Sequence, residues 1–438
     1  MHLYSSLVWT TFFILNWLKI NLIKLLAMTF DFTLSGNTNL KKINLVLNTG
    51  CDYFKFYTSL RIQNEQWDTE KKRPKNIYIK KYKKINNKLD IIKKELILYI
   101  NKKKDKRKEI SQKSISRVIH KLIIQNKTSL SENSLLFLMH NYINDRKDFI
   151  CYSTYKRYKV FYNLLQRFEG YIMKHLMIEE VNMEFVKKFM IFGKEEEYSE
   201  STIYRTIHFV KTILNFVERK GGKTCVRELN IKRENKQKEI VSLSEKEIMQ
   251  IKNTNVPDEL KSAKDWLVIS CYTGQRFSDF MRFSTDKIIS IKERVCIKFA
   301  QQKTKKEIIL PLHPVVTNVI AQNGNSFPEA LDITTYNQHI KLIAKIAGIE
   351  DTLNARRRVG HRAQSLFIEK WQAITSHIGR RSFATNFYGK IPTPLLIHAT
   401  GHSSEHMFLK YINDFDNERV VSLGDYFLKT HEELVFTR

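Results

Sequence analysis

In-line displacement at phosphorus needs a nucleophile, cations around the non-bridging oxygens and a proton donor for the departing oxygen. Four short stretches of this 438-residue chain supply those residue types in order. In TGQRFSD, Arg276 follows the apolar stretch DWLVISCYTG, and Asp279, three residues on, can orient its guanidinium. In AQQKTKKEIILPL, Lys303 lies in a turn-like run between two strand-like segments, RVCIKFA and EIILPL. This reads as a hairpin whose tip can carry a lysine into a groove, and Lys305 competes for the role. In ITSHIGRRSFATNF, a helix projects His377 and Arg380 from one face while Phe383, Ala384 and Phe387 point to a core. In HATGHSSEHMFLKYI, His402 follows a glycine and Tyr411 comes nine residues later. Each signal alone has an ordinary explanation: an arginine past a helix end, a solvated turn lysine, a surface His–Arg contact, an amphipathic tyrosine.

Together the four stretches resemble the ordered signature of the tyrosine recombinase, or phage-type integrase, family: Arg, Lys, His-x-x-Arg, His or Trp, then Tyr. Arg276, Lys303, His377, Arg380, His402 and Tyr411 fill every position, and the wording is most similar to integrases of mobile elements in Bacteroidetes. The resemblance implies that these six residues are catalytic. Tyr411 would attack a phosphodiester, form a 3′-phosphotyrosine and release a 5′-hydroxyl, with Lys303 as the acid for that oxygen. No metal or other cofactor is implied, because the phosphotyrosine conserves the bond energy. The implied partners are double-stranded DNA at specific recombination sites, a homotetramer assembled on it, and accessory DNA-bending or directionality factors. The implied process is site-specific recombination for integration or excision of a mobile element.

Three other readings compete. His402 to His406 (HSSEH) also matches H-x-x-E-H, in which two histidines one helical turn apart hold zinc beside a catalytic glutamate. That reading lacks an evident third ligand and leaves Arg276 and Arg380 without a role. A DNA-binding architectural protein would account for the charge but not for six ordered residues. A type IB topoisomerase would share the chemistry, yet needs no synapsis.

The elements that must position these residues are mainly helical, since Gly (14) and Pro (7) are scarce and leave few turn signals. Hydrophobic residues at 42% and aromatics at 12% suffice for packed cores. A net charge of +29 points to a polyanionic partner, nucleic acid ahead of anionic membrane. Cys51, Cys151, Cys225, Cys271 and Cys296 form no CxxC pair, which argues against a disulfide framework or a zinc ribbon and fits a cytoplasmic protein.

Because a single core stops growing at roughly 250–300 residues, several domains are expected, and the fold class reads as multidomain, mainly α with small β-sheets. Residues 240–438 read as a mixed α/β catalytic domain with a C-terminal tail, opened by a capping box at Ser244 to Glu247. Residues 126–222 read as a helical, SAM-like core-binding domain, as the resemblance implies. There Ile203, Ile207, Val210, Leu214 and Val217 form one apolar stripe, with Ser201 as cap and Gly221 as stop. Lys156, Arg157, Lys159, Arg205 and Lys211 fall on the remaining faces as candidate DNA contacts, joined by Arg357 and Arg358 of the basic stretch LNARRRVGHR. Residues 223–239 read as a charged linker. Residues 28–125 read as an arm-type DNA-binding α/β domain, with a small sheet between Lys41 and Trp67 and a lysine-dense helical stretch to about Lys121. That stretch is either a solvated helix face or a basic arm on phosphates. Residues 1–27 read as a hydrophobic extension: Leu7 to Leu18 is apolar, but it is interrupted by Asn16 and shorter than the ~20 residues a membrane span needs, so no membrane partner is expected. In the tail, Val420, Val421, Leu423, Tyr426, Phe427 and Leu428 recur at near-helical spacing, suited to folding back or docking into a neighbour.

Overall fold

The computed structural model describes residues 29–48, 53–76, 79–106, 110–124, 130–229, 231, 240–359, 362–412, 424–425 and 427–428. The hydrophobic stretch Leu7 to Leu18 and most of the apolar tail lie outside them. Among the described residues no helix is long and apolar enough to cross a membrane. The chain is a multidomain protein, mostly helical with small antiparallel sheets. It divides into two compact bodies, residues 1–234 with 358–364, and residues 235–357 with 365–438.

The first body begins with an antiparallel meander of β1 (Thr29–Ser35), β2 (Leu40–Asn48) and β3 (Tyr53–Gln63). The alternation read from Lys41 onward is that of β2 and β3. Strand β1 was not read from the sequence, although Phe30 and Phe32 face the core in alternation. In β3, Phe56, Thr58 and Ile62 point inward while Tyr53, Lys55, Tyr57 and Arg61 point out. The short pair β4 (Trp67–Asp68) and β5 (Arg73–Pro74) leads to α1 (Lys80–Asp105) and α2 (Gln112–Ile124). Tyr82, Ile85, Leu89, Ile92, Leu96 and Ile100 form the buried stripe of α1 at helical spacing.

Four helices follow: α3 (Leu135–Asp145), α4 (Tyr152–Ile172), α5 (Met183–Glu195) and α6 (Glu200–Arg219), around an aromatic core that includes Phe168, Phe185, Phe189, Phe192 and Phe209. Ser199, not Ser201, caps α6, accepting a hydrogen bond from the amide of Thr202, because the helix opens two residues earlier than its apolar stripe suggests. The lysine-dense helix α1 is not simply a solvated face. It packs on α4, and Lys94, 3% exposed, donates to Glu169 at 2.8 Å while Arg73 reaches Asp90 at 2.8 Å. These charges leave water because carboxylates meet them. Val226 and Leu229 are buried in the helical core, so the charged stretch from residue 223 opens inside this body, whereas 232–239 lie outside the described residues.

The second body opens with α7 (Glu245–Asn253), whose Ser244–Glu247 capping box is formed, and α8 (Asp258–Thr273), which is buried along most of its length. The single turn α9 (Phe277–Phe280) leads into an antiparallel sheet of β6 (Ile288–Ile291), β7 (Arg294–Ala300) and β8 (Glu307–Pro311). Next come α10 (Pro314–Gln322), α11 (Ile333–Ile346) and the hairpin β9 (Thr352–Val359)–β10 (Arg362–Glu369). The basic stretch LNARRRVGHR is therefore hairpin. Last are α12 (Lys370–Ala373), α13 (Ile378–Phe387), α14 (Thr393–Thr400) and α15 (Glu405–Leu409).

Helices α8 and α13 form the spine of this body, and their approach is set by Gly379. A Cβ there would stand 1.9 Å from Oγ of Ser270 and 2.7 Å from its carbonyl carbon. We expect Gly379→Ala to destabilise the body by about 1–3 kcal/mol, the usual cost of overpacking, with partial recovery in Gly379→Ala/Ser270→Gly. Denaturant unfolding of the four proteins measures this as a double-mutant cycle.

Candidate active site

The six residues singled out by type and spacing come from five chain segments, each at the end of an element. Helix α8 ends at Gly274, and Arg276 follows as the N-cap of α9. Its Nη1 donates to Oε1 of Gln301 at 3.1 Å and lies 3.8 Å from Oδ2 of the buried Asp279, the orienting carboxylate read from the sequence. Asp279 also accepts the amide of Gln302 at 2.8 Å, which ties the arginine loop to the β7–β8 hairpin. Lys303 is exposed on the tip of that hairpin, whose turn is closed by hydrogen bonds between Gln301 and both Lys305 and Lys306 at 2.9 Å. Lys305 is exposed as well, with left-handed backbone (φ +58°).

His377 is the N-cap of α13, and the amide of the preceding Ser376 is held by Asn337 of α11 at 2.8 Å. Arg380, one turn into α13, is 0% exposed. Its Nη1 donates to the carbonyl of Gly274 at 2.9 Å, and its Nη2 lies 2.9 Å from Nε2 of His402. Its Nε has no hydrogen-bond partner among the described residues. His402 follows the end of α14, and Tyr411 lies in the turn after α15. The Tyr411 ring centroid is 4.9 Å from that of His402 and 5.5 Å from Cζ of Arg380.

Proton positions at His402 follow from what its neighbours can do. Arginine only donates, so Nε2 must accept. Oγ1 of Thr400 spends its hydrogen on the carbonyl of Leu396 at 2.6 Å, so it accepts from Nδ1–H of His402 at 2.7 Å. His402 is thus a neutral imidazole with its proton on Nδ1. Burial first, then the charges of Arg380 and Arg276, lower its pKa to about 3. His377 is also pushed below the usual imidazole value, by desolvation on its protein-facing side and then by Arg381, Arg380, Arg276 and Lys303. The charge of Lys303 is among those felt at this imidazole. Desolvation and the charge of Arg276 lower Arg380 to about 10, opposed by Tyr411, so it stays cationic at neutral pH.

Arg380, His402 and Tyr411 are in contact, and Arg276 is tied through Gln301 to the turn between Thr400 and His402, while Lys303 and His377, on the hairpin tip and the helix start, are linked to this cluster through charge. Such a cluster can surround a phosphate with positive charge while leaving a hydroxyl beside it. Sequence reading missed Gln301, Gln275, Thr400 and Arg381. Thr400 and Gln301 are buried polar residues beside chosen positions, and only their location next to Gly-His and before Lys303 hinted at a role. The zinc-peptidase reading does not survive. Helix α15 begins at Glu405, so His402 precedes it and is committed to Arg380 and Thr400, while His406 is exposed one turn in. The two histidines do not share one helix face.

The candidate DNA contacts fare unevenly. Lys156, Arg157 and Arg205 are exposed. Lys159 is half-buried near the rings of Tyr155 and Tyr162, Lys211 donates to the carbonyl of Leu229 at 3.1 Å, and Arg357 is bound to Gln372 at 3.0 Å. The side chain of Arg358 lies outside the described ones.

Comparison with known proteins adds to this geometry. The model of the phage integrase SAM-like domain matches residues 134–221, and that of the phage integrase family matches residues 241–418. Among solved structures, the Tn1549 transposon integrase in complex with a circular intermediate DNA has a TM-score of 0.51 at 13% identity, covering 67% of this chain and 99% of that one. XerH site-specific recombinase bound to its difH substrate gives 0.44 at 13% identity over 72% and 88% of the two chains. A lambda integrase dimer bound to a COC′ core site gives 0.43 at 17% identity over 63% and 93%. No curated protein matches significantly.

The neutral imidazoles have a consequence for stability. In the unfolded chain they protonate near pH 6.5, whereas in the folded protein His402 resists protonation down to about 3 and His377 is shifted the same way. Below pH 6.5 the unfolded state therefore binds more protons, so the stability of the second body falls with pH. Hydrogen exchange in residues 240–412 should show progressively easier opening from pH 7 to pH 5, and His402→Gln, which retains an acceptor for Arg380 but cannot titrate, should flatten that dependence.

Proposed function

We propose, from the premise that the chain belongs to the phage integrase family of tyrosine recombinases, that Tyr411 is its nucleophile in site-specific recombination of double-stranded DNA. The observation that carries this reading is the buried Arg380, held between Gly274 and His402 with its guanidinium 5.5 Å from the Tyr411 ring. A phosphate brought to Tyr411 meets a cation that is already fixed, so little reorganisation is needed when charge develops. Arg276 supplies the second cation. The Tyr411 oxygen attacks phosphorus, forming a 3′-phosphotyrosine, and the 5′-oxygen leaves with a proton from Lys303. The partner strand's 5′-hydroxyl then reverses the step on a new strand. His377, neutral and exposed, is the imidazole free to take the phenol's proton. His402 is the one that orients Arg380.

In the same reading residues 126–222 and 240–438 each contact the recombination site, and residues 28–125 form the arm-type domain, whose outward Tyr53, Lys55, Tyr57 and Arg61 suit a duplex. The setting is integration or excision of a mobile element in the cytoplasm, where the Tn1549 transposon integrase is the supporting likeness of fold. Recombination joins two duplexes cut in a coordinated way, so the active form is a homotetramer in which the tail of one copy docks on the next. Support comes from an apolar cavity of about 370 Å³ lined by Tyr272, Leu310, Leu312, Phe383, Phe387 and Leu396, and from Phe427 and Leu428, which are 66% and 63% exposed.

Tyr411→Phe should bind DNA normally and form no covalent complex on a nicked suicide substrate, read by denaturing gel; covalent attachment in this variant would move the nucleophile elsewhere, with Tyr388 next in line. Deleting residues 415–438 should leave single-site affinity and its salt dependence nearly unchanged while abolishing synapsis, measured by gel shift and by recombination of two sites. Loss of single-site binding in the truncated protein would mean that the tail packs on its own domain.

A further inference from the structure

Two residues before Lys303, the β7–β8 hairpin carries a glutamine whose side chain is fully buried, Gln301. Burying a primary amide costs free energy unless its two N–H donors and its carbonyl lone pairs are all met. Here they are. Nε2 donates to Oε1 of Gln275 and to the carbonyl of Thr400, both at 3.0 Å. Oε1 accepts from Nη1 of Arg276 at 3.1 Å and from Oγ1 of Thr304 at 2.8 Å. The amide cannot be turned round, because an arginine never accepts a hydrogen bond. Gln275 is itself held, donating to the carbonyls of Thr273 and Ala399. At Gly401, a Cβ would stand 2.5 Å from Oε1, so the amide also fills the space against the turn that presents His402.

Arg276, Lys303 and His402 lie on separate segments. Among the described residues, Gln301 is the one side chain hydrogen-bonded both to Arg276 and to the Thr400 turn while its own backbone closes the turn bearing Lys303. We propose that Gln301 is a positioning residue of the cleavage reaction, fixing Arg276, the Lys303 turn and the Thr400–His402 turn in one frame so that a phosphate meets all three at once. The proposal rests on the recombinase reading above.

The test compares Gln301→Met, Gln301→Glu and Lys303→Ala for single-turnover cleavage of a suicide DNA duplex carrying either oxygen or sulfur at the 5′ leaving position. Gln301→Met keeps the volume and removes every hydrogen bond, and should slow cleavage about 100-fold, the scale of a misplaced catalytic group, with DNA affinity changed less than about threefold because most phosphate contacts lie elsewhere. Sulfur leaves without protonation, so it should restore Lys303→Ala but not Gln301→Met, in which Arg276 and the His402 turn are also released. In Gln301→Glu the ionised carboxylate can donate to neither Thr400 nor Gln275 and draws charge from Arg276. Protonation returns one donor, so its rate relative to wild type at the same pH should rise as pH falls from 8 to 5.5. A residue that only filled space would show no such recovery. Wild-type cleavage by Gln301→Met would overturn the proposal, as would a pH-independent deficit in a folded Gln301→Glu, which also serves if the methionine variant fails to fold. Covalent attachment by Tyr411→Phe would remove the underlying reading, whereas a neutral Gln301 beside an inactive Tyr411→Phe removes only this inference.

Discussion

A guanidinium does not shed its proton at any ordinary pH, so an arginine buried as completely as Arg380 must be met by acceptors that the fold itself supplies. The Gly274 carbonyl and Nε2 of His402 are such acceptors among the described residues. The first requires α8 to end where α13 begins, which the close contact at Gly379 makes possible. The second requires a histidine without charge. That in turn requires a proton on Nδ1 and an acceptor for it, which Thr400 provides only because its own hydroxyl hydrogen goes to Leu396. One buried charge thus dictates a tautomer, a helix end and a helix–helix contact.

The same requirement separates the two imidazoles. His402 is committed on both nitrogens and cannot exchange protons without breaking the arginine's support. His377, at the start of α13 and exposed, has no such commitment among the described residues. Both are held neutral by burial and then by nearby cations, yet His402 alone has both ring nitrogens engaged. Their difference lies in their hydrogen-bond partners and not in the direction of their pKa shifts. The first body handles burial differently. There Lys94 is met by a carboxylate, and His175 contacts Glu169 and Glu95 at 3.1 and 3.3 Å. Burial alone would lower His175, but those carboxylates outweigh it and raise its pKa. His175 shifts upward because carboxylates touch its ring, whereas His402, which touches a guanidinium and a hydroxyl, shifts downward.

How much of this was legible in the sequence depends on how local each cause is. The hairpin around Lys303 was readable because strand alternation and turn residues are nearest-neighbour signals, as was the capping box at Ser244. The convergence of Arg276, His377, Arg380, His402 and Tyr411 could be anticipated only as an ordered set, since no single stretch encodes contacts such as the 106-residue separation between Arg380 and Gly274. The burial of Lys94 was not legible, because its carboxylate partner lies 75 residues away and a lysine-rich helix looks solvated from its own composition. Lys211 and Arg357 were assigned outward for the same reason. Their acceptors, the Leu229 carbonyl and Gln372, become visible only when the chain has turned back. Gln301 carries no chemical signature of its own, and its importance is wholly relational.

A division of labour between buried and exposed groups follows. Arg380, Asp279, Gln301 and Thr400 are inaccessible, and each is fixed by at least one hydrogen bond or close ion pair across chain segments. Lys303, His377 and Tyr411, to which the proposed reaction assigns proton exchange and bond formation, sit on a hairpin tip, a helix cap and a terminal turn, where they remain exposed or half-buried. Charge stabilisation works best from groups that do not move when the charge appears, while nucleophile and acid must reach a substrate that arrives from outside. Embedding the cationic frame in the α8–α13 core and placing the reactive groups at element ends meets both demands. The residues that hold the frame are correspondingly amides, a threonine and a carboxylate, side chains whose hydrogen bonds and ion pairs reach across chain segments.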